Sequence, residues 1–161
     1  MAIDCFLKLE NNIMGESQDD KHKNWIDILS WDWGMTQSGT THIGGGGGTG
    51  KVSVQDLVIT KWIDKASPVL MLACCKGEHF AKATLTVRKA GEKSLEYLII
   101  DMEKILVSSI STGGSAGEDR LTEHVTLNFA KFHVKYVPQK PDGSADASID
   151  MQWNIETNTE K

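Results

Sequence analysis

Apolar side chains return at every second position over most of this chain, and few folds admit that rhythm. A period of two sends alternate side chains to opposite faces of an extended strand, so the chain reads as mainly β. Ile3 to Leu9 gives the first strand, and a second runs from about Trp25 to Met35. There Leu29, Trp31 and Trp33 share one face, expected to be the core, while Ser30 and Asp32 take the other. Further strands are expected over Lys51 to Trp62, Ala83 to Lys89, Leu95 to Ser111, Leu121 to Tyr136 and Ile149 to Ile155. Within Leu121 to Tyr136 the apolar positions change from odd to even, which predicts a bulge or sharp bend near Ala130-Lys131.

One helix interrupts the pattern, over Pro68 to Lys76, or 64–76 if it starts a turn earlier on Asp64. Ser67 or Asp64 suits the N-cap, Pro68 the first turn and Gly77 the C-terminal cap. Val69 to Cys75 is apolar all round, so the helix is expected to be buried. Many strands, tight turns and one buried helix describe a compact β-barrel or sandwich. At 161 residues the chain suits one domain over 1–161.

Charge and cysteine content narrow the function classes. With 17 Lys+Arg against 22 Asp+Glu, the net charge of −5 disfavours non-specific nucleic-acid binding, which needs a basic surface. No run approaches the ~20 apolar residues of a membrane helix, so membrane insertion is not expected. The segment Met1 to Lys8 lacks the basic start and apolar core of a secretory signal. Three cysteines, Cys5, Cys74 and Cys75, suit a reducing compartment, with the adjacent pair acting as small buried apolar residues.

Three motifs invite a catalytic or binding reading and fail on context. Gly45 to Lys51 follows a P-loop as far as its lysine, but Val52 stands where the magnesium-binding hydroxyl belongs, and a strand pattern follows. Gly113-Gly114-Ser115-Ala116-Gly117 spells a nucleophile elbow, yet strands are expected on both sides where an elbow needs a helix after it. Cys74, Cys75 and His79 lack a second ligand pair with metal-site spacing. No enzyme activity, cofactor or metal is therefore expected. Trp25, Trp31 and Trp33 leave an alternative open: a monomeric barrel that binds a small ligand or sugar.

A specific resemblance runs along almost the whole chain. It is carried by Gly15-Glu16-Ser17, His22 and Trp25 to Gly34, then by the glycine run into Gly50 to Leu57. Ile63 to Pro68, Arg88 to Gly91, Glu96-Tyr97-Leu98, Leu106 to Ser109, Val125 to Lys131 and Tyr136 to Gln139 extend it. In these stretches the chain resembles the Hcp family, tube proteins of bacterial type VI secretion systems. The resemblance implies a barrel of two sheets with a packed helix, assembled as a hexameric ring. Such rings stack head-to-tail into a tube, with spike and sheath proteins as partners and small effector proteins as cargo. It implies cytoplasmic assembly followed by secretion without a cleaved signal peptide. The chain departs from the family pattern at a lengthened first turn, Asn11 to Met14, and at Cys75. Because the sequence stops at Lys161, it is not expected to be one of the fused, effector-bearing versions.

Two site expectations follow. The 38–50 loop, glycine-rich and flanked by strands, is the candidate stacking element, through His42, Ile43, Gly44, Gly45, Gly46, Gly47, Gly48 and Thr49. Ser30 and Asp32, on the outward face of the second strand, are the candidate lumen and effector contacts. At −5 per chain, a hexamer carries about −30, so stacking should depend on salt.

Overall fold

The structure, a computed structural model, describes residues 2–11, 13–39, 50–91 and 94–161. Its first strand, β1, is Ile3–Leu9, as the alternation requires. The stretch read as a second strand divides into β2 (Ile26–Asp32) and β3 (Met35–Thr36), and the next into β4 (Ser53–Val54) and β5 (Leu57–Trp62). Helix α1 (Ser67–Lys76) leads to β6 (His79–Lys89) and the long β7 (Leu95–Thr112). β8 (Thr122–Asn128), β9 (Lys131–Tyr136) and β10 (Ile149–Asn154) complete the chain.

Six strands close into a barrel. Neighbours run β7-β6-β1-β2-β5-β8, and β8 returns to pair with the C-terminal half of β7, from Leu106↔Asn128 to Thr112↔Glu123. The N-terminal half of β7 pairs instead with β9, from Leu98↔Tyr136 to Glu103↔Lys131, and β9 carries β10 at the free edge. β7 thus serves two partners in succession and turns a corner between them. Lys104, at φ 57, sits on that corner in a left-handed conformation rare for a side-chain-bearing residue. The apolar parity of β7 changes at the same place: Ile100 and Met102 point inward before it, Ile105 and Val107 after it.

The parity change near Ala130-Lys131 marks a strand switch rather than a bulge in one strand. β8 ends at Asn128, β9 begins at Lys131, and the chain passes from the barrel to the β9–β10 extension. Ala130 N–H donates to the Glu103 carbonyl, and its own carbonyl accepts from Ile155, which holds the crossing point.

A second correction concerns β2. The pairing with β5 slips between Ile28 and Ser30, so one extra residue, Leu29, is extruded from the ladder. Ile26 and Ile28 face the core, and Trp31 resumes the inward face after the slip; Leu29 is 45% exposed rather than core. Trp33 packs edge-on to Phe132 at 4.9 Å between ring centres and tilted against Phe129 at 6.0 Å. It is a core aromatic, which removes it as a ligand-stacking platform.

Helix α1 begins at Ser67, a turn later than Asp64, and Ala66 at the cap position contributes no side-chain bond. Its C-terminus ends as expected: Gly77 takes the left-handed conformation at φ 62, while Gly77 and Glu78 N–H donate to Cys74 and Ala73 carbonyls. The expectation of full burial fails. Ser67, Leu70 and Ala73 face the core, whereas Val69, Met71, Leu72 and Cys75 lie on the surface. One chain offers the helix a single packing face, against β7, so an apolar-all-round helix leaves its other faces uncovered. Cys5 is the buried thiol, and burial pushes its pKa up against a weaker opposing bond from Trp31.

Candidate functional site

Four neighbouring strand segments, β2, β5, β8 and the C-terminal half of β7, present one outward barrel face. Their alternation places Leu57, Ile59, Val125 and Leu127 inward and leaves polar residues outward. The register sets these into cross-strand rows. Ser30 lies opposite Thr60, Thr60 opposite His124, and His124 opposite Ser111. In the next row Asp32 faces Val58, Val58 faces Thr126, and Thr126 faces Ser109. Ser30 and Asp32 are both exposed, adjacent on one strand, and belong to this face.

The chemistry of the face is uneven. Hydroxyls dominate, with carboxylates at Asp32 and Asp56; Lys61, the lysine of these segments, points into the barrel, and Arg120 lies over Trp62 at the end of β5, 4.6 Å from the ring centre. Thr60 Oγ1 and His124 Nδ1 share a hydrogen bond of 2.9 Å. Asp56 accepts from Ser108 Oγ and Asn128 Nδ2, each at 2.9 Å, which ties the lower rim of β8 to β7. A second extruded residue, at the slip between Val107 and Ser109 on β7, mirrors Leu29 across the face. The arrangement offers hydrogen bonds and negative charge to a polar surface.

The inner parity hides a feature the sequence reading missed. Lys61 and Glu123 stand opposite each other on β5 and β8, both 0% exposed. Lys61 Nζ lies 2.5 Å from Glu123 Oε1, 2.9 Å from Asp64 Oδ1, 3.1 Å from Ser67 Oγ and 2.8 Å from the Trp62 carbonyl. Ser67 O–H donates to Glu123 at 2.5 Å, and Asp64 accepts from Ala66 N–H at 3.0 Å. This ionic cluster pins the start of α1 to the strands that carry the polar face. A signal was present: Lys61 and Glu123 occupy the apolar parity of Leu57, Ile59, Val125 and Leu127.

The stacking residues His42, Ile43, Gly44 to Gly48 and Thr49 lie outside the described residues. The roots of that loop are described and braced. Met35 pairs with Val54 and Thr36 with Ser53; Gln55 N–H donates to the Gly34 carbonyl and Trp33 Nε1 to the Gln55 carbonyl. Because Trp33 also packs on Phe129 and Phe132, the loop is rooted in the core. A groove of about 320 Å³ opens beside these roots, with Met35, Val52 and Val54 facing Met151 and Trp153 of β10. The Gly113–Gly117 stretch joins β7 to β8, so Ser115 sits between two strands, without the helix that a nucleophile elbow needs.

Comparisons with known proteins agree with one another. The profile of the family described as "Type VI secretion system effector, Hcp" matches residues 6–136. The chain is 57% identical over 162 residues to protein hcp1 of Pseudomonas aeruginosa, covering 99% of each. A solved structure described as a type six secretion system protein superposes at a TM-score of 0.93 with 34% identity, over 99% of this chain and 100% of that one. The crystal structure of Hcp1 from Salmonella typhimurium superposes at 0.82 with 40% identity over the whole of both chains.

Proposed function

The chain belongs to the Hcp family of type VI secretion proteins, and from that premise we propose that it is a tube subunit. It assembles as one unit into a hexameric ring; rings stack head-to-tail, pass out of the cell with the spike inside a contractile sheath, and carry small effector proteins in the lumen. The observation that carries the reading is the division of the barrel surface. The β2–β5–β8 face is wet, hydroxyl-rich and short of cations, while apolar side chains gather on α1 and on β10 at the free edge. A ring-forming subunit needs apolar sides to bury against its neighbours and a polar wall to leave facing the hole.

In this reading Ser30 and Asp32 line the lumen, and the 38–50 loop docks each ring onto the next. A glycine-rich connection loses conformational entropy on docking, which keeps single contacts weak and stacking reversible. Sizing with light scattering and negative-stain imaging test the proposal together. Particles of about six chain masses and ring images are expected, and shortening Gly44 to Gly48 should leave rings but abolish tubes. A monodisperse monomer at assembly concentrations would overturn the ring reading, and normal tubes from the shortened loop would overturn its stacking role.

A further inference from the structure

The connection between β1 and β2 reads as a polar loop, yet its centre is buried. His22 is 2% exposed, stacked on Phe6 at 4.3 Å with ring planes 5° apart and met edge-on by Trp25 at 4.7 Å. Both ring nitrogens face carboxylates: Nδ1 lies 2.7 Å from Asp19 Oδ2 and Nε2 2.7 Å from Glu96 Oε1. The Asp19 contact is a hydrogen bond and the Glu96 contact an ion pair; an ionised carboxylate only accepts, so both are favourable only with a hydrogen on each nitrogen. A neutral imidazole has one, and would turn a lone pair toward the other carboxylate across the same distance.

We propose that His22 is a proton-operated clamp: with both ring protons it ties the 14–25 connection to the start of β7, and losing one releases that tie. The groups around it decide which bond breaks. From β6, Arg88 donates to Asp19 through two nitrogens, at 2.8 and 3.0 Å, and to Asp4 of β1 at 3.0 Å. Lys8 of β1 lies over Trp25, Asp27 of β2 lies beneath the connection through Ser17, and Asp20, Lys21 and Lys23 flank the ring in the exposed part of the connection. Asp19 is therefore gripped from two sides. Glu96 sits at the rim, more than a third exposed, and can turn its carboxylate to water. The proton lost is the one facing Glu96, and the His22–Asp19 half of the clamp survives.

The acid side behaves differently. Arg88 first, and His22 second, hold the Asp19 carboxyl far below the usual carboxylate range, so it stays ionised through mild acid. Mild acid therefore leaves the Asp19 half of the clamp in place, and proton loss at His22 is what opens the Glu96 half.

Two measurements on the full chain test the clamp. Nitrogen-15 spectra of the histidine rings should show His22 with both nitrogens protonated at about pH 6; a ring with one bare nitrogen there would overturn the proposal. Hydrogen exchange at the His22, Asn24 and Trp25 amides, which bond within the connection, reports opening. Corrected for intrinsic rates, wild-type opening should rise on the order of tenfold between about pH 6 and about pH 9, the loss of one charged contact. Glu96→Gln, changed at the exposed rim, should flatten that rise, and His22→Gln should abolish it. Equal pH profiles in wild type and both variants would overturn the clamp.

Discussion

The Lys61–Glu123 pair gives the sharpest test of the barrel as described. Replacing Lys61 with methionine keeps most of the volume and the inward orientation but strips Glu123 of its cation. Glu123 is 0% exposed, and its Oε2 already has no hydrogen-bond partner among the described residues. A buried carboxylate left this way costs about 3–5 kcal/mol. The double variant Lys61→Met with Glu123→Leu removes both members of that pair and leaves Asp64, 6% exposed, as the one carboxylate of the cluster that has lost Lys61. Asp64 keeps the Ala66 amide as a donor, and Ser67 keeps Asp64 as an acceptor, so the double variant should recover most of the loss. Equilibrium unfolding in guanidinium at fixed protein concentration measures the cycle, since assembly would add its own stabilisation. With a slope of about 4 kcal/mol per molar, the single variant should unfold about 1 M earlier than wild type. The double variant should lie within about 0.4 M of wild type on the same slope. If both variants fall equally, the loss comes from packing and the unpaired-charge reasoning fails. A single variant within about 1 kcal/mol of wild type would refute the pair as a dry contact.

Asp32→Lys should leave ring assembly unchanged, since the side chain makes no hydrogen bond or ion pair among the described residues, and should alter effector retention in co-purification; unchanged retention across several effectors would count against a lumen position. Gly15→Ala should destabilise by about 2 kcal/mol or more, because its added carbon would sit 2.5 Å from the Trp25 carbonyl oxygen and 2.6 Å from Ile26 Cα, both backbone atoms with little room to give. Thermal unfolding reads that loss, at about 2–4 °C per kcal/mol for a chain of this size. Asp19→Asn should flatten the acid limb of stability against pH. The depressed carboxyl contributes fully above the ordinary carboxylate range and loses that contribution only as pH falls through its lowered folded value. An acid limb identical to wild type would show that Arg88 does not hold it there.

How much of this was legible depends on how far apart the deciding residues lie. β1 could be read to the residue because Cys5, Leu7 and Leu9 hold one parity to its end, even though Phe6 is buried on the other side under His22, and Gly77 because a helix end is a local problem. Leu29 shows the opposite. Ile26 and Ile28 belong to one parity, Trp31 and Trp33 to the other, and Leu29 is the residue a slip must spend. Assigned to the second parity it looks like core; the ladder with β5 extrudes it. The same ambiguity joined β8 and β9 into one strand, since a parity change signals a bulge and a change of partner alike. The 14–25 connection was illegible for a different reason. Its polar residues are held by Arg88 and Glu96, about seventy positions away, and no local pattern announces such a partner. Lys61 and Glu123 fall between these cases: their parity was visible, but a charged residue at an apolar position gains meaning only with its opposite number across the ladder.

The distribution of exposed apolar side chains bears on which surfaces an assembly would cover. Leu72 and Val69 lie on α1, Ile149 and Met151 on β10, Tyr136 beside it on β9, and Ile3 at the start of β1. A monomer gains nothing by wetting these residues, and each is worth about 1.5–3 kcal/mol if fully buried against a neighbour. The β2–β5–β8 face exposes only Leu29 and Val58 among large apolar residues, set among serines, threonines and Asp32. Covering that face would desolvate hydroxyls and a carboxylate for little apolar gain, so it is the poorest self-contact on the barrel. The same composition suits transient cargo, because hydrogen bonds exchanged with water hold a guest weakly and let it leave. If that face lines the hole of a ring, as proposed, Leu29 acquires a role. Extruded by a slip next to Ser30, it gives an otherwise wet wall an apolar knob, and Leu29→Ser should weaken retention of apolar-surfaced effectors more than basic ones, while Asp32→Lys should do the reverse. Equal effects of the two variants on both kinds of cargo would remove that division of labour.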